Sequence, residues 1–293
     1  MAHAISSFVQ RSTPQAGRRC GFQVKWVAGK VLVGGGILWR HTEDLLMTAS
    51  SSPAAALIAA TETLCAQVEP LRFAAPVHTV YHPLRYAEAM HRAYIERFAK
   101  SGIDVLFLGM NPGPFGMTQT GIPFGEISVV RDWLQLSEPI GKPDVEHPKR
   151  PIEGLRCSKS EVSGKRLWGL FKNRFGTPDE FFAKHYVANY CPLVFMEDGG
   201  GNLTPDTLPA AEQRAIEAAC DAHLIALVKA LKPQWVIGVG AFAKKRAEDA
   251  LKDAKLTKIR IGTILHPSPA SPAANRDWAG QATKQLTELG IWA

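Results

Sequence analysis

Four short apolar runs alternate along the chain with segments of helical periodicity. The runs are rich in β-branched residues: IDVLFLG (103–109), HYVANYCPLVF (185–195), WVIGVG (235–240) and IRIGTILH (259–266). Such runs are typical of strands that are covered on both faces. Apolar residues at helical spacing predict helices at 86–100, 163–175, 210–230, 241–254 and 272–289. Strands that alternate with helices predict the α/β class, here a three-layer αβα sandwich around a central, mainly parallel four-stranded sheet.

The first 46 residues differ from the rest of the chain. They show no sustained period and contain the run GGG at 34–36. We interpret residues 1–46 as a poorly ordered N-terminal arm and residues 47–293 as a single domain. Met47 is an alternative start, since the segment TASSSPAAALIAATETL that follows it opens like an N-capped helix.

Composition narrows the class of protein only slightly. The net charge of +7 comes from 34 Lys and Arg against 27 Asp and Glu, and it permits a polyanionic partner without demanding one. The five cysteines are never closer than 29 residues, which excludes CxxC-type zinc ligation and indicates buried free thiols. No run of eighteen apolar residues and no secretory signal occurs, so we expect an intracellular protein without a membrane span.

The segment LGMNPGPFGMTQTGIPFG (108–125) follows the first apolar run and holds five glycines and three prolines. It lacks the Lys-Ser/Thr pair of a P-loop and the GxGxxG of a dinucleotide site, and its prolines remove backbone donors. We interpret it as a rigid wall that admits a flat group, with Asn111, Phe115 and Phe124 as its notable side chains. A nucleobase fits, because an aromatic ring can stack on it and an amide can read its edge. The alternatives are a turn role for Asn111 and a core role for Phe124.

Two further polar residues end or interrupt apolar runs. His266 ends the last run, and the carboxyl ends of parallel strands share one edge, so His266 and Asn111 should open onto one crevice. A lone histidine is more often structural, which is the alternative. Ser271 and Pro272 predict a helix start that suits a phosphate. Asn189 lies in a strand-like run where asparagine is disfavoured, so its amide is either satisfied by backbone or directed at a ligand.

Basic residues cluster in EHPKRP (146–151) and along the predicted helix 163–175. The aromatic residues of that helix recur at helical spacing and predict an inward face: Trp168, Phe171 and Phe175. The basic residues then face mainly solvent: Lys165, Arg166, Lys172 and Arg174. Contact with phosphate is the alternative for this basic face.

Six motifs in this order resemble one known family. They are GMNPGPFGMTQTGIPFGE, EHPKRP, SEVSGKRLWG, NYCPLVFM, NLTPDTLPA and HPSPASPAANRDW. Together they resemble the single-strand-selective monofunctional uracil-DNA glycosylases over roughly residues 55–291. The resemblance implies the uracil-DNA glycosylase fold, a catalytic domain at 47–293 and hydrolysis of the N-glycosidic bond of deoxyuridine in DNA. It also implies 5-substituted uracils such as 5-hydroxymethyluracil as substrates, and single- and double-stranded DNA as partner.

The same resemblance implies roles for individual residues. Asn111 would position the attacking water, and His266 would support the departing base at O2. Phe124 would stack on the flipped base, and Asn189 would read its pyrimidine edge. The remaining base contacts would come from Met110, Gly113, Phe115 and Met117. We expect a monomer in the cytoplasm or nucleoid of a bacterium or in a nucleus, with neither metal nor cofactor, and no lysine at the motif positions suggests lyase chemistry.

The residues expected to contact DNA lie in two segments: Lys149, Arg150, Ser268, Pro269, Ala270, Ser271, Pro272, Asn275 and Arg276. In vertebrate members of the family the residue after HPSP is basic, whereas this chain has Ala270. The wedge that enters the duplex is therefore smaller and less charged. We expect DNA contact to depend more on Arg276 and on the helix start at Ser271.

Two alternatives remain at this point. A mismatch-specific uracil/thymine glycosylase shares an asparagine followed by Pro-Gly, but it explains neither NYCPLVFM nor the long HPSP match. A catalytically silent sensor of damaged bases is the other. It would not need Asn111, Phe124, Asn189 and His266 together.

Overall fold

The computed structural model describes residues 52–293. The predicted arm at 1–46 and the alternative start at Met47 lie outside these residues and stay predictions. The first helix begins at Pro53, and the Ser52 hydroxyl accepts a hydrogen bond from the Ala55 N–H at 3.2 Å. The N-capped helix predicted after Met47 is therefore confirmed.

The described residues form helices and strands in alternation. The helices are α1 Pro53–Val68, α2 Pro83–Tyr86, α3 Glu88–Phe98, α4 Met117–Thr120, α5 Val162–Phe175, α6 Pro178–Phe182, α7 Ala210–Leu231, α8 Ala241–Asp253 and α9 Pro272–Glu288. The strands are β1 Thr79–Tyr81, β2 Val105–Gly109, β3 His185–Asn189, β4 Val194–Met196, β5 Asn202–Leu203, β6 Trp235–Val239 and β7 Arg260–Ile264. The five long helices predicted from periodicity all form, and every end lies within two residues of the predicted one.

The central sheet is four-stranded and fully parallel, in the order β3-β2-β6-β7. Strands β2 and β3 are buried along their whole length because helices cover both faces. The predicted αβα sandwich with a mainly parallel four-stranded sheet is therefore confirmed. In this arrangement the loops after β2, β3 and β7 all leave from one edge of the sheet.

The predicted strand at 185–195 is wrong in its second half. Strand β3 ends at Asn189, and β4 belongs to a small antiparallel sheet of order β1-β4-β5 that the sequence did not suggest. The intervening Pro192 has no N–H to donate to a ladder. The N–H groups of Tyr190 and Cys191 bond to the carbonyls of Gly109 and Met110 at 2.9 and 2.8 Å. The loop after β3 is thus laid along the loop after β2.

Helix α5 presents its predicted aromatic face to the core. Trp168 and Phe171 are fully buried, and Phe175 packs against the core from a half-buried position. Four cysteines are buried and unpaired, as predicted: Cys65, Cys157, Cys191 and Cys220. Cys20 lies outside the described residues.

Neither a membrane-spanning helix nor a metal-ligand cluster is found in the described part of the chain. Its helices are too short or too polar to cross a bilayer. Within residues 52–293, no three His, Cys, Asp or Glu side chains come together as metal ligands would.

Two half-buried histidines whose rings are desolvated predict that the fold loses stability in acid. Burial lowers the pKa of His91 to about 4 and that of His223 to about 3. In the unfolded chain these histidines titrate near 6.5. Below that pH the unfolded state therefore binds protons at His91 and His223 that the folded state does not bind. The free energy of unfolding should therefore fall as the pH drops from 6.5 towards 4. Urea unfolding at pH 7.5, 6 and 5 measures this, and His223→Leu should reduce the slope. An unchanged slope in the variant would contradict the assignment.

Candidate active site

The Gly/Pro loop after β2 is held by side chains of the residues that follow it. The Thr118 hydroxyl donates to the Gly113 carbonyl at 2.6 Å. The Gln119 amide donates to the carbonyls of Pro114 and Pro151 at 3.3 and 3.1 Å. Because prolines leave few N–H groups here, the loop is fixed mainly through its carbonyls. This bonding pattern favours the rigid wall expected from the sequence.

Phe124 is held in an uncommon backbone conformation. Its φ is +53°, in the left-handed region that disfavours a residue with a Cβ. Helix α5 packs directly against the Phe124 backbone. A Cβ added at Gly164 of this helix would overlap the Phe124 carbonyl. The indole N–H of Trp168 also donates to the neighbouring Pro123 carbonyl at 3.2 Å. Strain of this kind costs about 1–3 kcal/mol and is concentrated at functional sites, so it supports a stacking role for the ring.

Asn189, the last residue of β3, lies beside the Phe124 ring. A Cβ added at Gly109 would overlap the Asn189 Oδ1 and would come within 2.6 Å of the Phe124 ring, so both groups border the Gly109 backbone. The Asn189 Nδ2 donates to the Met117 sulfur at 3.3 Å. Its Oδ1 is buried and has no hydrogen-bond partner among residues 52–293. Backbone does not satisfy this amide oxygen, so it is available to a ligand N–H.

Gly109 provides the first test of this pocket. Replacing it by alanine should displace the Asn189 amide and the Phe124 ring together, and the base excision that the motif resemblance implies should fall about 100-fold or more. Single-turnover excision from a uracil oligonucleotide measures the effect. Gly169→Ala on α5 is the matched control, because a Cβ there meets nothing within 4 Å and favours the helix. Full activity of Gly109→Ala would contradict the pocket.

Asn111 has a fixed side-chain orientation. Its amide nitrogen donates to the Leu193 carbonyl at 3.3 Å, since a carbonyl can only accept. The bond directs Nδ2 at the loop after β3 and leaves Oδ1 without a partner in the described residues. An amide oxygen in that state can orient a water molecule but cannot deprotonate it.

His266 is presented as one defined tautomer. The Ser268 N–H donates to its Nδ1 at 3.1 Å, so Nδ1 must be unprotonated and Nε2 carries the hydrogen. Burial lowers the pKa of His266, which keeps the ring neutral near pH 7. Its ring centroid lies 6.3 Å from that of Phe124. The loops after β2 and β7 therefore meet, as predicted, with the His266 N–H donor near the Phe124 ring.

The predicted DNA-contacting segment 268–276 forms a loop and a helix start. Pro269, Ala270 and Arg276 are exposed. Ser271 caps α9 by accepting from the Ala274 N–H at 3.3 Å, which confirms the predicted cap and its following proline. Asn275 uses both ends of its amide inside the protein. Its Nδ2 donates to the Pro269 carbonyl at 2.8 Å, and its Oδ1 accepts from Arg166 at 2.9 Å. Asn275 therefore shapes the loop in this structure.

The second predicted DNA-contacting segment is joined to the Gly/Pro loop by Arg150. The Arg150 guanidinium lies 5.4 Å from the centroid of the Phe115 ring. The Tyr81 hydroxyl donates to the Arg150 carbonyl at 2.7 Å and fixes the backbone there. Lys149 remains exposed. Arg150 therefore connects the segment 146–151 to the Gly/Pro loop at Phe115.

Three residues of the site were not found from the sequence. Arg166, expected to face mainly solvent, is half-buried and donates to the loop after His266. Glu161 caps α5 and lies against Gly113 and Gly116, and burial raises the pKa of its carboxyl. Gln119 joins the Gly/Pro loop to the segment 146–151, because its amide donates to the carbonyls of both Pro114 and Pro151. Helical periodicity gives no signal for such contacts, because it locates an inward face and not the partners at its margin.

The fold and these loops define a member of one enzyme class. The model of the family described as "Uracil DNA glycosylase superfamily" matches residues 96–287. A Bos taurus protein named single-strand selective monofunctional uracil DNA glycosylase is 48% identical over 225 residues, which are 77% of this chain and 82% of that protein. The Mus musculus protein of the same name is 48% identical over 229 residues, 78% of this chain and 81% of that protein.

A solved structure resembles the fold alone. The crystal structure of Pedobacter heparinus SMUG2 superimposes with a TM-score of 0.54 at 17% identity, covering 79% of this chain and 98% of that chain. From the sequence matches, the chain belongs to the family of the single-strand selective monofunctional uracil-DNA glycosylases. It is therefore a hydrolase of N-glycosyl bonds that acts in DNA base-excision repair.

Proposed function

We propose that this glycosylase takes uracil and 5-substituted uracils, including 5-hydroxymethyluracil, out of single- and double-stranded DNA and leaves an abasic site. The observation that carries the proposal is the buried Oδ1 of Asn189, which has no hydrogen-bond partner among residues 52–293 and lies beside the ring of Phe124, whose backbone is held at a positive φ. A flat base that stacks on Phe124 would bring its N3–H to that oxygen. Such an enzyme works where the cell keeps its DNA, in a nucleoid or nucleus.

The Asn189 amide favours uracil over cytosine. Uracil presents an N3–H donor next to the O4 acceptor, which match Oδ1 and Nδ2 of the amide. Cytosine reverses this pattern and would leave buried groups unpaired, and mispairing of this kind rejects a ligand by orders of magnitude. A water near Gly113 and Met117 that a polar 5-substituent displaces would admit 5-hydroxymethyluracil.

Hydrolysis then divides between two side chains. Breaking the bond between C1′ and N1 leaves positive charge on the sugar and negative charge on the base, delocalised to O2. The Nε2–H of His266 would donate to O2 more strongly as that charge develops. Asn111 would hold the water that adds to C1′ through its free Oδ1, and the water proton would pass to solvent. With no carboxylate base in these roles, leaving-group stabilisation supplies most of the acceleration.

The loop after β7 favours single strands as the better substrate. Its exposed tip carries Pro269 and Ala270, which offer a small, uncharged wedge. Opening a duplex costs a few kcal/mol for each unstacked step, and a small wedge recovers little of it. The names of the Bos taurus and Mus musculus relatives describe the same preference.

A panel of oligonucleotides tests the proposal. Uracil, 5-hydroxymethyluracil, thymine and cytosine would be offered in single strands and opposite guanine, and abasic sites would be counted after alkaline cleavage. We expect excision of the first two bases, faster in single strands. Excision of thymine from G·T pairs would favour a mismatch-specific enzyme. Binding without excision would favour a sensor.

A further inference from the structure

Arg166 contacts the peptide group whose N–H donates to His266. Its guanidinium Nη1 donates to the Pro267 carbonyl at 3.0 Å and to the Ser268 carbonyl at 3.4 Å. The N–H that donates to His266 Nδ1 belongs to Ser268, so it lies on the same peptide plane as the Pro267 carbonyl. A chain of two hydrogen bonds thus runs from the guanidinium through one peptide group to the imidazole.

The second half of the guanidinium fixes the arginine itself. Its Nη2 donates to Asn275 Oδ1 at 2.9 Å, and Asn275 Nδ2 donates to the Pro269 carbonyl at 2.8 Å. Arg166 and Asn275 together therefore engage three successive carbonyls of the loop, those of residues 267, 268 and 269. These contacts bridge α5 to the start of α9 across the segment that carries the histidine.

From this geometry we propose that Arg166 is a positioning residue that locks the tautomer of His266. If the peptide between Pro267 and Ser268 turned over, its carbonyl would face Nδ1 and would favour hydrogen on that nitrogen. Nε2 would then be a lone pair, which repels the departing base at O2. The cation on the carbonyl holds the peptide in the productive orientation and polarises its N–H towards the ring. The wrong tautomer of a catalytic histidine costs orders of magnitude in rate.

A phosphate contact is the competing explanation for Arg166, since its side chain is half-buried and not fully enclosed. A residue that binds phosphate would change DNA affinity and its dependence on salt, uniformly for every base. A residue that acts through His266 would change the rate at saturating DNA instead. It would have no effect once His266 is gone.

The test is a double-mutant cycle in single-turnover excision at saturating uracil DNA. This inference rests on the proposed function, so wild type and His266→Ala are measured first. We expect Arg166→Ala to be at least about 10-fold slower, Arg166→Lys to lie between it and wild type, and Lys165→Ala on the same helix to match wild type. The double variant should be no slower than His266→Ala. If the rate losses of Arg166→Ala and His266→Ala multiplied in the double variant, the inference would be overturned. It would also be overturned if Arg166→Ala only weakened DNA binding.

A second measurement does not depend on activity. The ¹⁵N chemical shifts of the His266 ring report which nitrogen carries the hydrogen. They should show Nε2–H in wild type and a mixture of tautomers in Arg166→Ala. An unchanged tautomer in a folded Arg166→Ala would refute the lock even if excision slowed. If the wild type proves inactive but the tautomer still changes between wild type and Arg166→Ala, the proposed function is refuted and this inference stands.

Discussion

His266→Ala is expected to slow uracil excision about 100- to 1000-fold at saturating DNA while leaving DNA affinity almost unchanged. The neutral ring offers one N–H, and that donor strengthens its bond only as the base becomes anionic. Removing it therefore raises the barrier without weakening the bound ground state. Single-turnover kinetics measures the loss, and fluorescence anisotropy with abasic-site DNA measures affinity.

Changing the departing base distinguishes a donor role of His266 from a packing role. A base that carries negative charge more easily, such as 5-fluorouracil, needs less help from a donor, so the variant should lose less on it than on uracil. Because burial lowers the pKa of His266, any change in the wild-type rate that follows protonation of this ring should be centred below pH 6.5. Equal losses on both bases would argue that His266 only packs against its neighbours, such as Gly240.

The sequence predicted the convergence of distant loops because it follows from one rule. Parallel strands place their carboxyl ends at one edge, so Asn111 and His266 were expected to open onto one crevice although they lie 155 residues apart in the sequence. The contact between Phe124 and His266 confirms that the two loops meet. The roles assigned to Asn111 and Asn189 from motif likeness stay proposals, although the free amide oxygens support them.

Other features depend on contacts that no periodic pattern encodes. The run at 185–195 is uniformly apolar, and apolarity alone does not show that Pro192 transfers the chain to a second sheet. Arg166 lies at the margin of a helix whose aromatic face predicts the core, and a margin position predicts neither solvent nor a loop carbonyl. The positive φ of Phe124 has no sequence signal either, because a phenylalanine before Gly-Glu is an ordinary turn neighbour.

The absence of a side chain at Gly109 makes room for two residues of the candidate site. A glycine there ends β2 without a side chain, and the space is shared by the Asn189 amide and the Phe124 ring. Gly164 allows α5 to close on the Phe124 carbonyl, which holds the ring against the pocket. The same helix carries Arg166 to the His266 loop. One helix thus contacts both the Phe124 backbone and the loop that carries His266.

Asn189→Leu is expected to slow uracil excision at least about 100-fold without lowering the stability of the fold. Leucine has the same branching and the same number of side-chain heavy atoms as asparagine, and it has no polar atoms to bury. In the unliganded protein, Asn189 Oδ1 is buried without a partner among residues 52–293, which costs about 1–3 kcal/mol. Removing that cost should leave the melting temperature equal or higher. A residue that only held the fold together would show the opposite result.

Asn189→Asp separates recognition from packing. A carboxylate can only accept, so it would repel O4 of uracil while it could accept the exocyclic N–H of cytosine. We expect uracil excision to fall about 100-fold or more and the ratio of cytosine to uracil excision to rise. Asn111→Asp is the matched control, because it places the same charge at the water and should not change the order of the two bases. If Asn189→Asp keeps the wild-type preference, then another group reads the base edge, and the buried amide oxygen has some other partner during the reaction.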